Sequence, residues 1–371
     1  MKKVVILIRN VAPHEYGGGE TYQLLLAGQL LKNNYNPVIV TSSERLLSEA
    51  KKQKIEVIRA PFIKNQNWSG LKNFLLPIYY VKIQQLKRWY KKIFAKYQPI
   101  AVNIQSRDDW IAATLATKEG GAKIFWTDHV DFRTWVFQNV KLPYKNFIGK
   151  WILRCTKYVD KIIMISDYER KNFEEIYGKS PKIVTIKNGV EDKKEEYKNI
   201  IPKKNSICYV GRLVDYKGIN ELLKAFQNLQ EKYPNLVLNI YGEDKDNYQG
   251  RFKNAKNVFF KGFTGEPLKA IAENEIFILP SYYEGLSMSL LDAAMLEKAI
   301  IVTNIDGNPE VVHDDGGILV PAKNSDAIKN AIEDLIGDPS KAKRMAKNAR
   351  KNYEQEFNFE KTIKEKFIPL I

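Results

Sequence analysis

Short apolar runs alternate with helical stretches along almost the whole chain, and the alternation stops once, near residue 190, before it starts again. Val4 to Asn10, Pro37 to Ser42, Ile55 to Ala60, Ala101 to Gln105, Lys123 to Thr127, Lys161 to Ser166 and Lys182 to Lys187 read as strands, with helical segments between them. That order is the signature of a parallel, doubly wound sheet covered on both faces. Asn188-Gly189 ends the series, and the charged, weakly periodic stretch from Glu191 to Asn205 reads as a linker. Ser206 to Gly211, Leu236 to Tyr241, Val258 to Lys261, Ile276 to Leu279 and Ile300 to Thr303 then form a second set of strands, with a helix from Ile219 to Lys232. The expected fold class is therefore α/β, with two Rossmann-like domains at 1–190 and 206–356 joined by 191–205. In such sheets ligands bind beyond the carboxyl ends of the strands, so residues at those ends are the candidates for function.

At 371 residues the chain is long for one core, and 44% hydrophobic residues can fill two. No apolar run approaches the roughly 20 residues needed to cross a bilayer. The opening run from Val4 is broken at Arg9 and reads as a buried strand rather than a secretory signal, which predicts a cytoplasmic protein with Cys155 and Cys208 as reduced, buried thiols. His14, His129 and His313 lie far apart and leave no zinc spacing. A formal net charge of +16 invites a polyanionic partner, or reflects a bias toward lysine and asparagine. Nothing in the chain matches a zinc module or an RNA-recognition aromatic motif, so nucleic acid is not the expected partner.

Four segments carry candidate chemistry. Glu284-Gly285 stands where an apolar strand passes into a helix, and Gly285, Leu286, Ser287 and Met288 make up the turn and the helix start, where unpaired amides and the helix dipole favour an anion such as a diphosphate. Gly211-Arg212, with Lys217-Gly218 six residues later, follows the first strand of the second domain and offers a forked donor and a mobile point charge to a diphosphate. Gly17-Gly18-Gly19-Glu20 follows the first strand of the chain and opens a helix; it does not fit the dinucleotide fingerprint, which argues against a nicotinamide enzyme. His129 ends a strand of the first domain, with Asp128 and Asp131 as possible caps of the next helix.

Together these segments resemble the retaining glycosyltransferases of family 4, which have the GT-B fold with two domains facing a cleft. Glu284 and Asp292 match the family's Glu-x7-Glu signature as Glu-x7-Asp, Gly211-Arg212-Leu213 and Lys217-Gly218 match its Gly-Arg-Leu and Lys-Gly, and Gly17 to Glu20 resembles its Gly-Gly-x-Glu. The resemblance implies a nucleotide-diphosphate sugar as co-substrate, with no further cofactor and no metal. It implies a glycan, polysaccharide or lipid-linked acceptor and retention at the anomeric carbon. Arg212 and Lys217 would hold the diphosphate, Glu284 the donor sugar and Asp292 the ribose, with His129 beside sugar and acceptor; Gly18, Gly19 and Glu20 would reach toward donor phosphate. It also places 357–371 as a helix returning to the first domain. A GT-B sugar-nucleotide epimerase and a non-enzymatic polyanion-binding protein are the alternatives.

Weaker signals complete the reading. Asp244-Lys245-Asp246 superficially resembles a metal-binding Asp-x-Asp but lacks its context. Asp306 to Glu310 resembles a family Gly-x-Pro-Glu turn, and Glu297-Lys298-Ala299 replaces the family's Gly-x-Pro. The stretch from Tyr79 to Tyr97 has an apolar stripe and a second face with Lys82, Trp89, Lys92 and Lys96, which is compatible with peripheral contact to an anionic membrane.

Overall fold

The computed structural model describes residues 2–61, 76–129, 147–253, 255–313 and 315–371. It divides into two compact units, residues 1–187 with 360–371, and residues 188–359. The stretch 191–205 belongs to the second unit, carrying helix α7 (Lys194–Tyr197) and the start of β8 (Lys203–Val210).

The first unit is built from β1 (Lys3–Ile8), α1 (Gly18–Lys32), β2 (Tyr35–Thr41), α2 (Glu44–Lys52), β3 (Glu56–Arg59), α3 (Leu76–Tyr97), β4 (Ala101–Ile104), α4 (Trp110–Thr117), β5 (Lys123–Asp128), α5 (Phe147–Cys155), β6 (Lys161–Met164), α6 (Asp167–Tyr177) and β7 (Ile183–Thr185). Its sheet has the order β3-β2-β1-β4-β5-β6-β7, all parallel. Strands covered on both faces must be apolar throughout, which is why Val5 to Ile8 are fully buried in an unbroken run. On one face the α3 stripe Tyr79, Ile83, Leu86, Tyr90 and Ile93 packs with α4 and α5. Trp110 and Trp126 stack there at 4.4 Å, and their indole N–H groups donate to the Ile104 carbonyl and to Thr114 Oγ1, so neither is buried unsatisfied. On the other face Phe125 meets Phe367, and Lys123 Nζ donates to the Leu370 carbonyl, which ties the last residues of the chain to this sheet.

The second unit continues with α8 (Ile219–Gln227), β9 (Val237–Tyr241), α9 (Tyr248–Arg251), β10 (Val258–Gly262), α10 (Pro267–Ala272), β11 (Asn274–Leu279), α11 (Met288–Met295), β12 (Ala299–Thr303), α12 (Asn308–Val312), β13 (Ile318–Val320), α13 (Ser325–Gly337) and α14 (Pro339–Asn352). Its sheet runs β10-β9-β8-β11-β12-β13, again parallel. Helix α8 stops at Gln227, five residues short of the Lys232 expected, because turns intervene before Pro234. The edge strand β13 escaped the sequence reading: three residues after a glycine pair are too few to show a period. Val190 bridges to Asn358, its carbonyl accepts from Tyr353 Oη, and a Cβ on Gly189 would strike the Phe357 carbonyl, so the Asn-Gly-Val segment is pressed against the chain's late turns within this unit.

Both cysteines are buried and unpaired, and burial pushes the Cys155 thiol up to about 11 and the Cys208 thiol to about 12. Lys298 is buried too. Its ammonium donates to the carbonyls of Ala272 and Asn274 at 2.6 and 2.8 Å, and desolvation lowers it to about 8. Lys298 thus ties the end of α10 and the start of β11 to the segment entering β12.

Candidate active site

In the second sheet the strand order reverses between β8 and β11, and the turns leaving these two strands carry the predicted cations and the predicted acid. Four contacts lock the turns together. Gly218 has φ of 69°, and a Cβ there would run into the Pro280 carbonyl oxygen, so the first turn can lie against the second only with glycine at this position. The Tyr282 N–H donates to the Tyr216 carbonyl at 2.7 Å, and the rings of Tyr216 and Tyr283 stack at 4.6 Å. Lys217 Nζ then pairs with Glu284 Oε1.

The pair is largely desolvated, with 12% of the lysine and 10% of the glutamate side chain exposed. Ser281 Oγ donates to the same carboxylate oxygen at 2.7 Å, and the Glu284 N–H donates to Asp306 Oδ2 at 2.7 Å. Arg212 is exposed; its Nη2 donates to Tyr216 Oη at 2.6 Å and its carbonyl accepts from Tyr209 Oη at 2.9 Å. Gly211 must be small, because a Cβ there would crowd the Tyr209 hydroxyl. Ser287 caps α11 without a side-chain bond to the helix, its hydroxyl lying 3.2 Å from that of Ser289. No cap side chain therefore takes the first amides of α11, which lie one turn beyond Glu284, Gly285 and the buried Leu286. Met288 and Asp292 are half-buried on this helix. Burial pushes the Asp292 carboxyl up to about 7, against the opposing pull of the Lys193 cation.

The structure thus gathers Gly211, Arg212, Lys217, Glu284 and the start of α11 at one switch point. A diphosphate arriving there would find a guanidinium, an ammonium it could draw from Glu284, and helix amides. Ser281 and Asp306 were not anticipated as positioning residues; their signal was their place at the ends of the buried strands β11 and β12. Asp244 and Asp246 serve local structure: the Asp244 carboxylate accepts from the amides of Tyr248 and Gln249, and Asp246 Oδ2 accepts from the Asp215 amide.

The corresponding edge of the first sheet is organised differently. Glu20 is buried, with one oxygen accepting from Arg9 Nε at 2.7 Å and the other from the Gly17 amide at 2.6 Å. Gly18 opens α1, and a Cβ on Gly19 would meet the Arg9 guanidinium. The glycines after β1 therefore make room for an arginine that had been read only as the break in an apolar run. Arg107 grips Asp128 through Nε and Nη2 at 2.7 to 3.0 Å, which occupies the aspartate considered as a cap; Asp131 lies outside the described residues. His129 Nε2 lies 3.2 Å from Gln105 Oε1, with Tyr22 edge-on at 4.9 Å. Burial, aided by the Arg9 and Arg107 charges, holds the imidazole well below its ordinary value, so it is neutral at pH 7.

The basic face expected on α3 is only partly present. Lys82, Lys92 and Lys96 are exposed, but Trp89 packs on the core with its ring edge-on to Tyr90 at 5.0 Å.

Two family models between them match residues 16–352, Glycosyltransferase Family 4 over residues 16–194 and Glycosyl transferases group 1 over residues 190–352, and the chain belongs to this family of GT-B glycosyltransferases. An uncharacterised glycosyltransferase of Methanocaldococcus jannaschii is 32% identical over 239 residues, 60% of this chain and 60% of that protein. The UDP-Gal:alpha-D-GlcNAc-diphosphoundecaprenol alpha-1,3-galactosyltransferase of Escherichia coli is 26% identical over 262 residues, 63% of this chain and 67% of that protein. Among solved structures, an Anabaena protein in complex with UDP and glucose superposes with a TM-score of 0.76 at 15% identity, covering 100% of this chain and 99% of that one. No helix among the described residues is long and apolar enough to cross a membrane.

Proposed function

We propose that this chain transfers a sugar from a nucleotide-diphosphate donor to a glycan or lipid-linked acceptor, with retention of configuration and without a metal ion. The observation that carries the proposal is the desolvated Lys217–Glu284 pair, set at the switch point beside Arg212 and the start of α11. In the reaction the bond from the anomeric carbon to the phosphate oxygen breaks, and one from the acceptor hydroxyl oxygen forms on the same face. The acceptor's proton passes to the departing phosphate. Charge grows on the diphosphate as the bond stretches, and there Arg212, Lys217 and the α11 amides do their work. Glu284, released from Lys217, orients the donor sugar through its hydroxyls, while Asp292 accepts from the ribose. The first unit takes the acceptor, with the neutral His129 beside it as a positioning group rather than a proton shuttle. The Escherichia coli relative's diphosphoundecaprenol substrate and the Anabaena structure's UDP and glucose support this choice of acceptor and donor classes.

A thermal-shift panel of UDP, GDP and ADP sugars, run with EDTA, tests the proposal. One base should stabilise the protein by roughly 2.7 kcal/mol when present at about a hundred times its dissociation constant. The shift should vanish in Arg212→Ala and Lys217→Ala, and the anomeric configuration of the product, read by NMR, should match the donor's. Silence from every nucleotide sugar, or a strict need for added metal, ends the corresponding part of the reading.

A further inference from the structure

The first sheet has its own switch point, between β1 and β4, and the residue that leaves β4 there is Gln105. Its main chain is fixed on the β1 side: the N–H donates to the Ile8 carbonyl at 2.8 Å, and the carbonyl accepts from Arg9 Nη1 at 3.3 Å. Its side chain, 2% exposed, reaches toward β5, where Oε1 lies 3.2 Å from Nε2 of His129. Among the described residues this is the single hydrogen bond between the imidazole and the protein.

The other end of the same amide is unpaired. Gln105 Nε2 is enclosed and meets no protein acceptor, which is a net cost to folding that a methionine of similar length would avoid. The amide is therefore accounted for by what it does for His129. Gln23, fully buried on α1, supplies the contrast, because both of its amide atoms lack a partner and neither meets the histidine. The charged and titratable groups around the ring are Arg9 and Arg107, each paired with an acid, Glu20 and Asp128, and Tyr22 of α1. The two cations oppose a charge on the imidazole, but they do not choose which nitrogen keeps its single proton. A fixed amide oxygen does.

We infer that Gln105 is a positioning residue for the transferase reaction: its amide oxygen accepts from His129 Nε2, holds the ring in one tautomer, and leaves Nδ1 as the nitrogen that accepts from a substrate hydroxyl. The link to catalysis rests on the transferase reading; the tautomer does not.

Nitrogen-15 NMR of the free protein tests the tautomer with neither donor nor acceptor present. The chain has three histidines, His14, His129 and His313, so His129→Gln assigns the signal by its loss. In the parent the proton should reside on Nε2 alone, and the signal should stay unmoved from about pH 8 to 5. Gln105→Met should mix the two tautomers, and Gln23→Met should leave them as in the parent. Gln105→Glu should bring the titration of His129 into that pH range, because a carboxylate beside the ring favours the imidazolium. Kinetics test the link to catalysis: Gln105→Met should lower kcat about ten- to a hundredfold with the donor KM unchanged, while the melting temperature stays within about 4 °C of the parent. A proton on Nδ1 in the parent, a tautomer that survives Gln105→Met, or equal disturbance by Gln23→Met overturns the inference. A fall in rate matched by a fall in stability reduces Gln105 to a packing residue, and silence from every nucleotide sugar removes the catalytic link alone.

Discussion

The two sheets share one winding order, yet their carboxyl edges use charge in opposite ways. At the edge of the second sheet a cation from one turn pairs with an acid from the other, across the switch point between β8 and β11. At the edge of the first sheet Arg9 holds Glu20 and Arg107 holds Asp128, and the histidine among them is kept neutral. At the second edge the pair joins two turns, and in the proposed reaction a diphosphate would take the place of Glu284 at Lys217. The first arrangement spends its charges on holding the glycine-rich turn and the end of β5 in place. Similar frames thus carry ion pairs between segments at both edges, and the difference lies in what surrounds them: exposed Arg212 and the uncapped start of α11 at the second, a buried neutral histidine at the first.

The largest effect should come from breaking the ion pairs. A hydrogen bond to a charged group contributes roughly 1.5 to 3 kcal/mol, so Lys217→Ala should cut turnover by about ten- to a hundredfold. Arg9→Met should instead cost stability, about 2 to 3 kcal/mol in urea titration, because it leaves Glu20 buried and unpaired. Should Lys217→Ala unfold the protein while keeping its specific activity, the contrast between the edges is lost.

Glycine substitutions sharpen the comparison at the next level. Gly218→Ala forces a left-handed φ on alanine and drives its Cβ into a backbone carbonyl, so about 2 to 3 kcal/mol of stability and the nucleotide-induced thermal shift should go together. Gly19→Ala meets only the far end of the Arg9 side chain, which can swing aside, and should cost about 1 kcal/mol. A larger loss at Gly19 than at Gly218 would reverse the assignment of the rigid turn.

The smallest effect is in pH, with opposite sign in the two units. Asp292 has a folded value of about 7, above the ordinary carboxyl value, so its stabilising contribution is complete below about pH 4 and is lost as the pH rises through 7. Asp292→Asn should therefore gain about 1 kcal/mol over the parent at pH 8 relative to pH 5, after discounting for partial exposure. His129 is displaced downward, so its contribution is complete above pH 6.5 and is lost as the pH falls through its folded value. His129→Gln should spare the protein about 1 kcal/mol of acid destabilisation between pH 7 and 5. The comparison is made against the parent because Asp109, raised by burial to about 6, works in the opposite direction. Equal pH curves for parent and both variants would show that neither group is held away from its ordinary value.

Much of this was readable before any coordinates. The central strands of both sheets were legible because they are buried on both faces and so are apolar without interruption, and the α3 stripe because packing on a sheet demands a helical repeat. Gly211, Arg212, Lys217 and Glu284 could be named because they sit just after such strands. What stayed hidden were partners from distant segments. Nothing local to Asp306 says that it accepts from the Glu284 amide, and Arg9 looked like a strand terminus until Gly19 was seen to make room for it. Trp89 lies between core and solvent, because a helical repeat ranks faces but does not draw their borders.

By itself the sequence determined the alternation, the parallel winding and the positions where turns leave the strands, because those follow from periodicity and local backbone preference. Only the tertiary structure decided that Lys217 meets Glu284 while Arg9 meets Glu20, that His129 is buried and neutral, and that Tyr79 and Tyr80 of α3 meet Trp151 of α5. Pairing and burial depend on distances between segments remote along the chain, and the crossover connections of a parallel sheet set those distances.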